Sequence, residues 1–234
     1  SSSGGATPVK RPDGSILFTG PKPDKDVYTI QAVTNLDGIT AVRLEVLPDD
    51  SLPAHGPGRA ENGNLHLSEF KLAAAANARD ASVRQLALQN PSADFDQDGW
   101  TIAMALDGKP DTAWGIHPAE GKRHVAVFEL KEPVRATPDG TTLTFTLEQV
   151  HGRGHLIGHL RLSITTSPAP VRASMLPDDV AAVLATPESQ RTDAQRVALA
   201  RHVLTARLDE QRTALPPPQM VFAAANDFKP EGNF

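Results

Sequence analysis

The sequence contains no cysteine, one tyrosine, two tryptophans and three methionines, and aromatic residues make up only 5% of its 234 positions. The missing cysteine excludes disulfides, thiolate metal sites, a cysteine nucleophile and c-type haem attachment. It leaves the compartment open, because a cysteine-free domain survives inside or outside the cell. No run of lysine or arginine occurs, and 23 basic residues face 28 acidic ones for a net charge of -5. A nucleic-acid binder normally shows a basic face, so no nucleic-acid partner is expected. No stretch reaches the ~18–20 apolar residues of a membrane span, so no membrane insertion is expected either. The shortage of aromatics narrows any sugar-stacking platform to Trp100, Trp114, Tyr28 or Phe95, each of which also suits a core. No G-x-S-x-G elbow is present, and carboxylate pairs for glycoside hydrolysis meet only in a fold, not in a spacing.

What is present is alternation. Val42, Leu44 and Val46 alternate with Arg43 and Glu45; Leu143, Phe145 and Leu147 with Thr142, Thr144 and Thr146; Leu160, Leu162 and Ile164 with Arg161, Ser163 and Thr165. Val27–Val33, Leu65–Leu72 and Val125–Leu130 are further runs of strand length. Period-two patterning with one buried face is the mark of antiparallel sheet. Turn chemistry such as Asn35-Leu36-Asp37-Gly38 and Asn62-Gly63-Asn64 separates the runs. The expected class is mainly β, an antiparallel β-sandwich over residues 13–168, with 1–12 as a flexible lead-in.

After Pro168 the period turns helical. Pro177 sits at a first helical position with Asp178 and Asp179 in the first turn, and Thr192-Asp193-Ala194-Gln195 has capping-box spacing. A helical hairpin is expected over 169–215, stopped by Pro216-Pro217-Pro218. The serine-rich start and the proline-rich end read as a segment cut from a longer protein, with 216–234 a linker to a missing downstream domain.

Three constellations bear on chemistry. Asp94-Phe95-Asp96-Gln97-Asp98-Gly99 copies the first half of an EF-hand loop, but the bidentate Glu of position 12 falls on Ala105, so an acidic turn is expected. Asp107-Gly108-Lys109-Pro110-Asp111-Thr112-Ala113-Trp114 is a tight loop with a carboxylate, a hydroxyl and carbonyls; it suits a Ca²⁺ clasp or a plain turn over a packed Trp. His151, His155 and His159 recur every fourth residue, but Gly152, Gly154 and Gly158 break a helix. In an extended chain the three lie too far apart for one tetrahedral zinc site, so a glycine-rich loop with polar tips is expected.

Three segments carry a resemblance: Ile39–Pro53 with Gly56-Pro57-Gly58-Arg59 and Asn62–Phe70; Gly99-Trp100 with Ala105–Trp114; and Thr141–Leu147 with His155–Ser163. Together they resemble the β-rich module of large planctomycete-type surface proteins that join a cytochrome-c-like domain to flanking domains. That module in turn is similar to a galactose-binding-domain-like jelly roll, the fold of discoidin-type domains and many carbohydrate-binding modules. The resemblance implies an extracytoplasmic location, either periplasmic or at the cell surface. It also implies a structural Ca²⁺ held by the Asp107 carboxylate, the Lys109 carbonyl, Thr112 and the strand residue Glu69. In discoidin-type domains the Glu strand follows the Asp-Gly loop, whereas here it precedes it. The implied sugar readers are Arg59, Asn62, Asn64, Trp100, His117 and His155. The expected function is a non-catalytic carbohydrate-binding module that targets a larger protein to polysaccharide, anionic ones included. The alternatives are a structural module that positions flanking domains, and a β-sandwich polysaccharide-degrading enzyme.

Overall fold

The computed structural model describes residues 1–76, 83–138, 140–173, 177–213 and 215. The chain divides into two compact units, Ser1–Met175 and Leu176–Phe234. The first unit is built of strands β1 (Thr7–Lys10), β2 (Ile16–Thr19), β3 (Asp26–Thr34), β4 (Ile39–Val46), β5 (Glu69–Ala75), β6 (Arg84–Leu86), β7 (Leu88–Ala93), β8 (His124–Val134), β9 (Thr141–Gln149) and β10 (His159–Thr165). They form a six-stranded sheet, β1-β2-β10-β4-β8-β7, and a four-stranded sheet, β3-β9-β5-β6. Every pairing is antiparallel.

The two sheets share one core, so the architecture is a β-sandwich. Phe70 of β5 stacks on Phe128 of β8 across the layers, ring centroids 4.3 Å apart. Tyr28, the only tyrosine, is fully buried, stacks on Phe18 and donates its hydroxyl to the Ile157 carbonyl at 3.0 Å. Burial pushes that phenol well above its usual range. The alternation seen in the sequence is the cause: Val42, Leu44 and Val46 face the shared core. Ala41 with Val125 and Val127 form a second cluster on the opposite face of the same sheet, covered by Val171 and Ala173.

Two expectations change here. The opening residues are not a flexible lead-in, because β1 pairs with β2 and the Asp26 carboxylate accepts bonds from Ser2, Ser3 and the Gly4 N–H. Residues 171–173 do not belong to a helical segment: the Val171 N–H donates to Glu129 at 2.6 Å and the Ala173 N–H to Ser92 at 2.9 Å. In the second unit, α1 spans Asp178–Ala185 and α2 spans Asp193–Thr213. α2 opens on the expected capping box, with the Thr192 N–H donating to Gln195 Oε1 at 2.8 Å and the Gln195 N–H to Thr192 Oγ1 at 3.2 Å. The Pro216–Pro218 stop and the 216–234 linker lie outside the described residues. Among the described residues no helix is long and apolar enough to cross a membrane.

The outer face of β4 carries a buried carboxylate. Glu45, 2% exposed, lies 2.7 Å from Arg161 Nε, 3.2 Å from Arg43 and 3.7 Å from Arg123. Burial alone would raise its carboxyl, but the Arg161 hydrogen bond and the three guanidinium charges hold it below the usual range. Such a group contributes stability that is present above its unfolded value and lost as pH falls through its folded value. Glu45→Gln is therefore expected to cost about 1.5 kcal/mol at neutral pH, a figure reduced for arginines that are partly solvated. The variant should also lose part of the wild-type fall in melting temperature below about pH 4.5, which an acid titration followed by circular dichroism checks.

Candidate functional site

Strand register gathers the candidate residues at one end. β4 ends at Val46 opposite His124, where β8 begins, and β9 ends at Gln149 opposite Asp26, where β3 begins. The connections 20–25, 47–68, 94–123 and 150–158 therefore meet at the same end of the sandwich.

Their backbones are locked by two side-chain amides, one of them buried. Gln97 Oε1 accepts from Asn64 Nδ2 at 3.0 Å and from the His117 N–H at 3.1 Å, while Asn64 Oδ1 accepts from the Ile116 N–H at 3.0 Å. Gly58 passes so close to this strut that a Cβ would sit 2.0 Å from the Asn64 carbonyl oxygen, which only glycine avoids. Trp114, fully buried, exchanges both backbone bonds with Leu67, at 2.9 and 3.0 Å, and its indole N–H donates to the Phe95 carbonyl at 3.0 Å.

On this floor stands a cluster of three imidazoles and an indole. His66, flanked by Leu65 and Leu67, is only 5% exposed. Its ring lies parallel to the Trp100 indole, with centroids 4.5 Å apart, and to the His155 imidazole at 4.3 Å; His151 meets it edge-on. His66 Nδ1 and His151 Nδ1 are 2.9 Å apart. One potential ligand atom from each of His66, His151 and His155 lies within 4.8 Å of the others. Burial pushes the His66 imidazole down to about 3, and the charges of His155 and His151 add to this. His151 is lowered by burial, with His155 and Arg153 adding and Asp111 opposing.

This meeting corrects the reading of the histidine run. Gly152, Arg153 and Gly154 adopt positive φ angles of 104°, 58° and 64°, folding the connection back instead of extending it. The Arg153 N–H donating to Asp24 at 2.6 Å holds the fold-back in place. His151 and His155 then close on His66, while His159 goes elsewhere, its Nε2 2.8 Å from Ser15 Oγ.

Beside the cluster is the Asp107 loop. Asp107 Oδ1 accepts from the Lys109 N–H at 2.9 Å and from the Thr112 hydroxyl at 2.9 Å, and that hydroxyl also lies 3.0 Å from the Lys109 carbonyl. Glu69, at the start of β5, faces the same loop. Burial raises its carboxyl; the Gly108 N–H and Lys71 oppose this, and the Asp107 and Glu148 charges add to it. Glu69 Oε1 is sealed from solvent with no hydrogen-bond partner. The Asp107 carboxylate, the Thr112 hydroxyl and the Lys109 carbonyl are bonded to one another, so among these oxygens only Glu69 Oε1 lacks a partner; oxygen donors of this kind are the type that a hard divalent cation takes. The neighbouring Asp94 and Asp96 are spent within the fold, on the Val125 N–H with His124 and on the Ile102 N–H respectively.

The six sugar-reading candidates separate by partner. The Arg59 guanidinium is buried and donates to the Pro21 and Gly20 carbonyls at 2.8 and 2.6 Å, and Asn64 forms the strut above. Asn62 and His117 are exposed and converge on Glu120 Oε1, at 3.2 and 2.6 Å. Trp100 and His155 join His66. Of the four aromatic candidates, Trp114 and Tyr28 are core, Phe95 packs against the core, and Trp100 keeps part of its indole open. His66 was not among the candidates, and His151 was weighed only with His155 and His159 for zinc; the signal for His66 was a histidine set between two leucines in a run of strand length. No family model, curated protein or solved structure matches this chain.

Proposed function

We propose that this chain is a non-catalytic carbohydrate-binding module, a galactose-binding-like jelly roll carrying a helical hairpin, that holds a larger extracytoplasmic protein at a polysaccharide. The observation that supports it is the make-up of the loop end: a partly open Trp100 indole stands among imidazoles, with exposed Asn62 and His117 on the same connections. An aromatic face for a sugar ring, rimmed by hydrogen-bonding groups, is what glycan recognition requires. Ca²⁺ at Asp107, Thr112, the Lys109 carbonyl and Glu69 would neutralise a buried carboxylate and brace the loop that ends in Trp114.

Affinity gel electrophoresis over neutral and sulfated polysaccharides tests the reading. Retardation by at least one of them is expected, weakened about tenfold in Trp100→Ala. No retardation on any polysaccharide rejects it. One observation favours a second reading, a structural module that positions flanking domains: Val197, Leu204 and Leu208 share a face of α2 and are 66%, 59% and 64% exposed. Co-purification with such domains, with no glycan retention, selects that alternative.

A further inference from the structure

We propose that His66, His151 and His155 form a binding site for a borderline transition-metal ion, Zn²⁺ in the first instance, separate from the oxygen-lined Asp107 corner. The inference does not rest on the glycan reading. Two chain segments 85 residues apart bring together three imidazoles whose ligand atoms lie within 4.8 Å of one another. Around a tetrahedral zinc with Zn–N bonds of about 2.0–2.1 Å, neighbouring nitrogens stand roughly 3.3 Å apart. The 2.9 Å between His66 Nδ1 and His151 Nδ1 is therefore close to a ligand–ligand spacing.

The nitrogen that His66 would offer is Nδ1, the one that faces His151. Its proton then sits on Nε2, which is buried without a hydrogen-bond partner in a side chain that is 5% exposed. The His155 ring, stacked on His66, must rotate out of that stack to bring its lone pair to the same ion. His155 carries the orienting contact usual for metal-bound imidazoles, its Nδ1 3.3 Å from the Gly152 carbonyl. That contact places the proton on Nδ1 and leaves the Nε2 lone pair for a metal.

The donor set decides the class of ion. Three imidazole nitrogens with no thiolate suit Zn²⁺, Cu²⁺ or Ni²⁺ and not Ca²⁺, which takes oxygen. Metal binding needs neutral imidazole, so affinity should fall as pH drops. Three protein ligands also leave a coordination position open, the arrangement of zinc sites that hold water or an added ligand.

The test is a ZnCl₂ titration of the full chain, stripped of metal and kept in excess Ca²⁺, against a chromophoric chelator. One equivalent of Zn²⁺ is expected to bind, its affinity at least about tenfold lower in His151→Ala and in His155→Ala, and unchanged in His55→Ala, an exposed histidine outside the cluster. Absence of a saturating equivalent overturns the proposal, as does wild-type affinity in both histidine variants, which would place the ion at a surface pair such as His117–Glu120. Should either variant fail to fold, Co²⁺ binding by the wild-type chain decides. An intense tetrahedral visible spectrum supports the site, and the pale spectrum of the hydrated ion overturns it.

Discussion

Trp114→Ala is expected to lower the free energy of unfolding by about 3–5 kcal/mol, the usual cost of emptying a large aromatic site in a core. The indole is fully buried at the point where the two sheets meet the loop end. Its loss leaves a cavity and also orphans the Phe95 carbonyl, 3.0 Å from the indole nitrogen. The backbone bonds between Trp114 and Leu67 hold the Asp107 loop against the segment bearing His66. The damage should therefore reach binding as well as folding. Urea denaturation of the variant measures the stability term. Trp114→Phe helps to separate the two effects, because it removes the hydrogen bond but keeps a larger share of the packing than Trp114→Ala. It also leaves Trp100, the other of the chain's two tryptophans, as the sole fluorescent reporter beside the histidines. A loss below about 1 kcal/mol in Trp114→Ala would mean that the indole is not the keystone of this end.

The second large effect is expected from calcium. An ion that binds only the native state stabilises it by about 2.7 kcal/mol at a hundred times its dissociation constant, or on the order of 5–10 °C for a domain of this size. Wild-type protein should show this rise on adding Ca²⁺ and lose it with chelator; Asp107→Ala should show neither. Glu69→Gln gives the more informative result. Without Ca²⁺ it should be as stable as wild type or more so, because the buried carboxyl is raised by burial and by the Asp107 charge. With Ca²⁺ it should gain little. The pH dependence follows the same logic. A carboxyl raised in the folded state contributes stability present below its unfolded value of about 4.5 and lost as pH rises through its folded value. Ca²⁺ favours the deprotonated form, so it should remove this loss. Melting curves of the wild-type chain that coincide with and without Ca²⁺ would reject the ion.

The parts legible in the sequence were those set by local rules. β4, β9 and β10 follow their alternation, and α2 starts where a threonine and a glutamine three residues on can bond each other's N–H groups. The Asp107 turn is likewise local, since its carboxylate, amide and hydroxyl lie within five residues of one another. The short β1, β2, β6 and β7 carry too few positions for a period to register, and they form because neighbouring strands offer partners. Leu65–Ser68 has strand-like patterning but lies ahead of β5, held by isolated contacts such as the Leu67–Trp114 bridge. Arg59 and Asn64 have the side chains of surface readers. A donor does not reveal in sequence what will accept from it: the Arg59 guanidinium donates to the Pro21 and Gly20 carbonyls and the Asn64 amide to Gln97 Oε1, so both are spent within the fold.

By itself, then, the amino-acid order determined the mainly β class, the helix start at Thr192 and the oxygen-bearing turn at Asp107, because each depends on periodicity or on groups a few residues apart. Only the tertiary structure decided which histidines meet. The partner of His151 and His155 is His66 and not His159, since strand pairing brings the 47–68 connection against the 150–158 connection, and left-handed residues at 152–154 turn the chain back. Contacts across that separation arise from sheet register and packing, which no local period encodes.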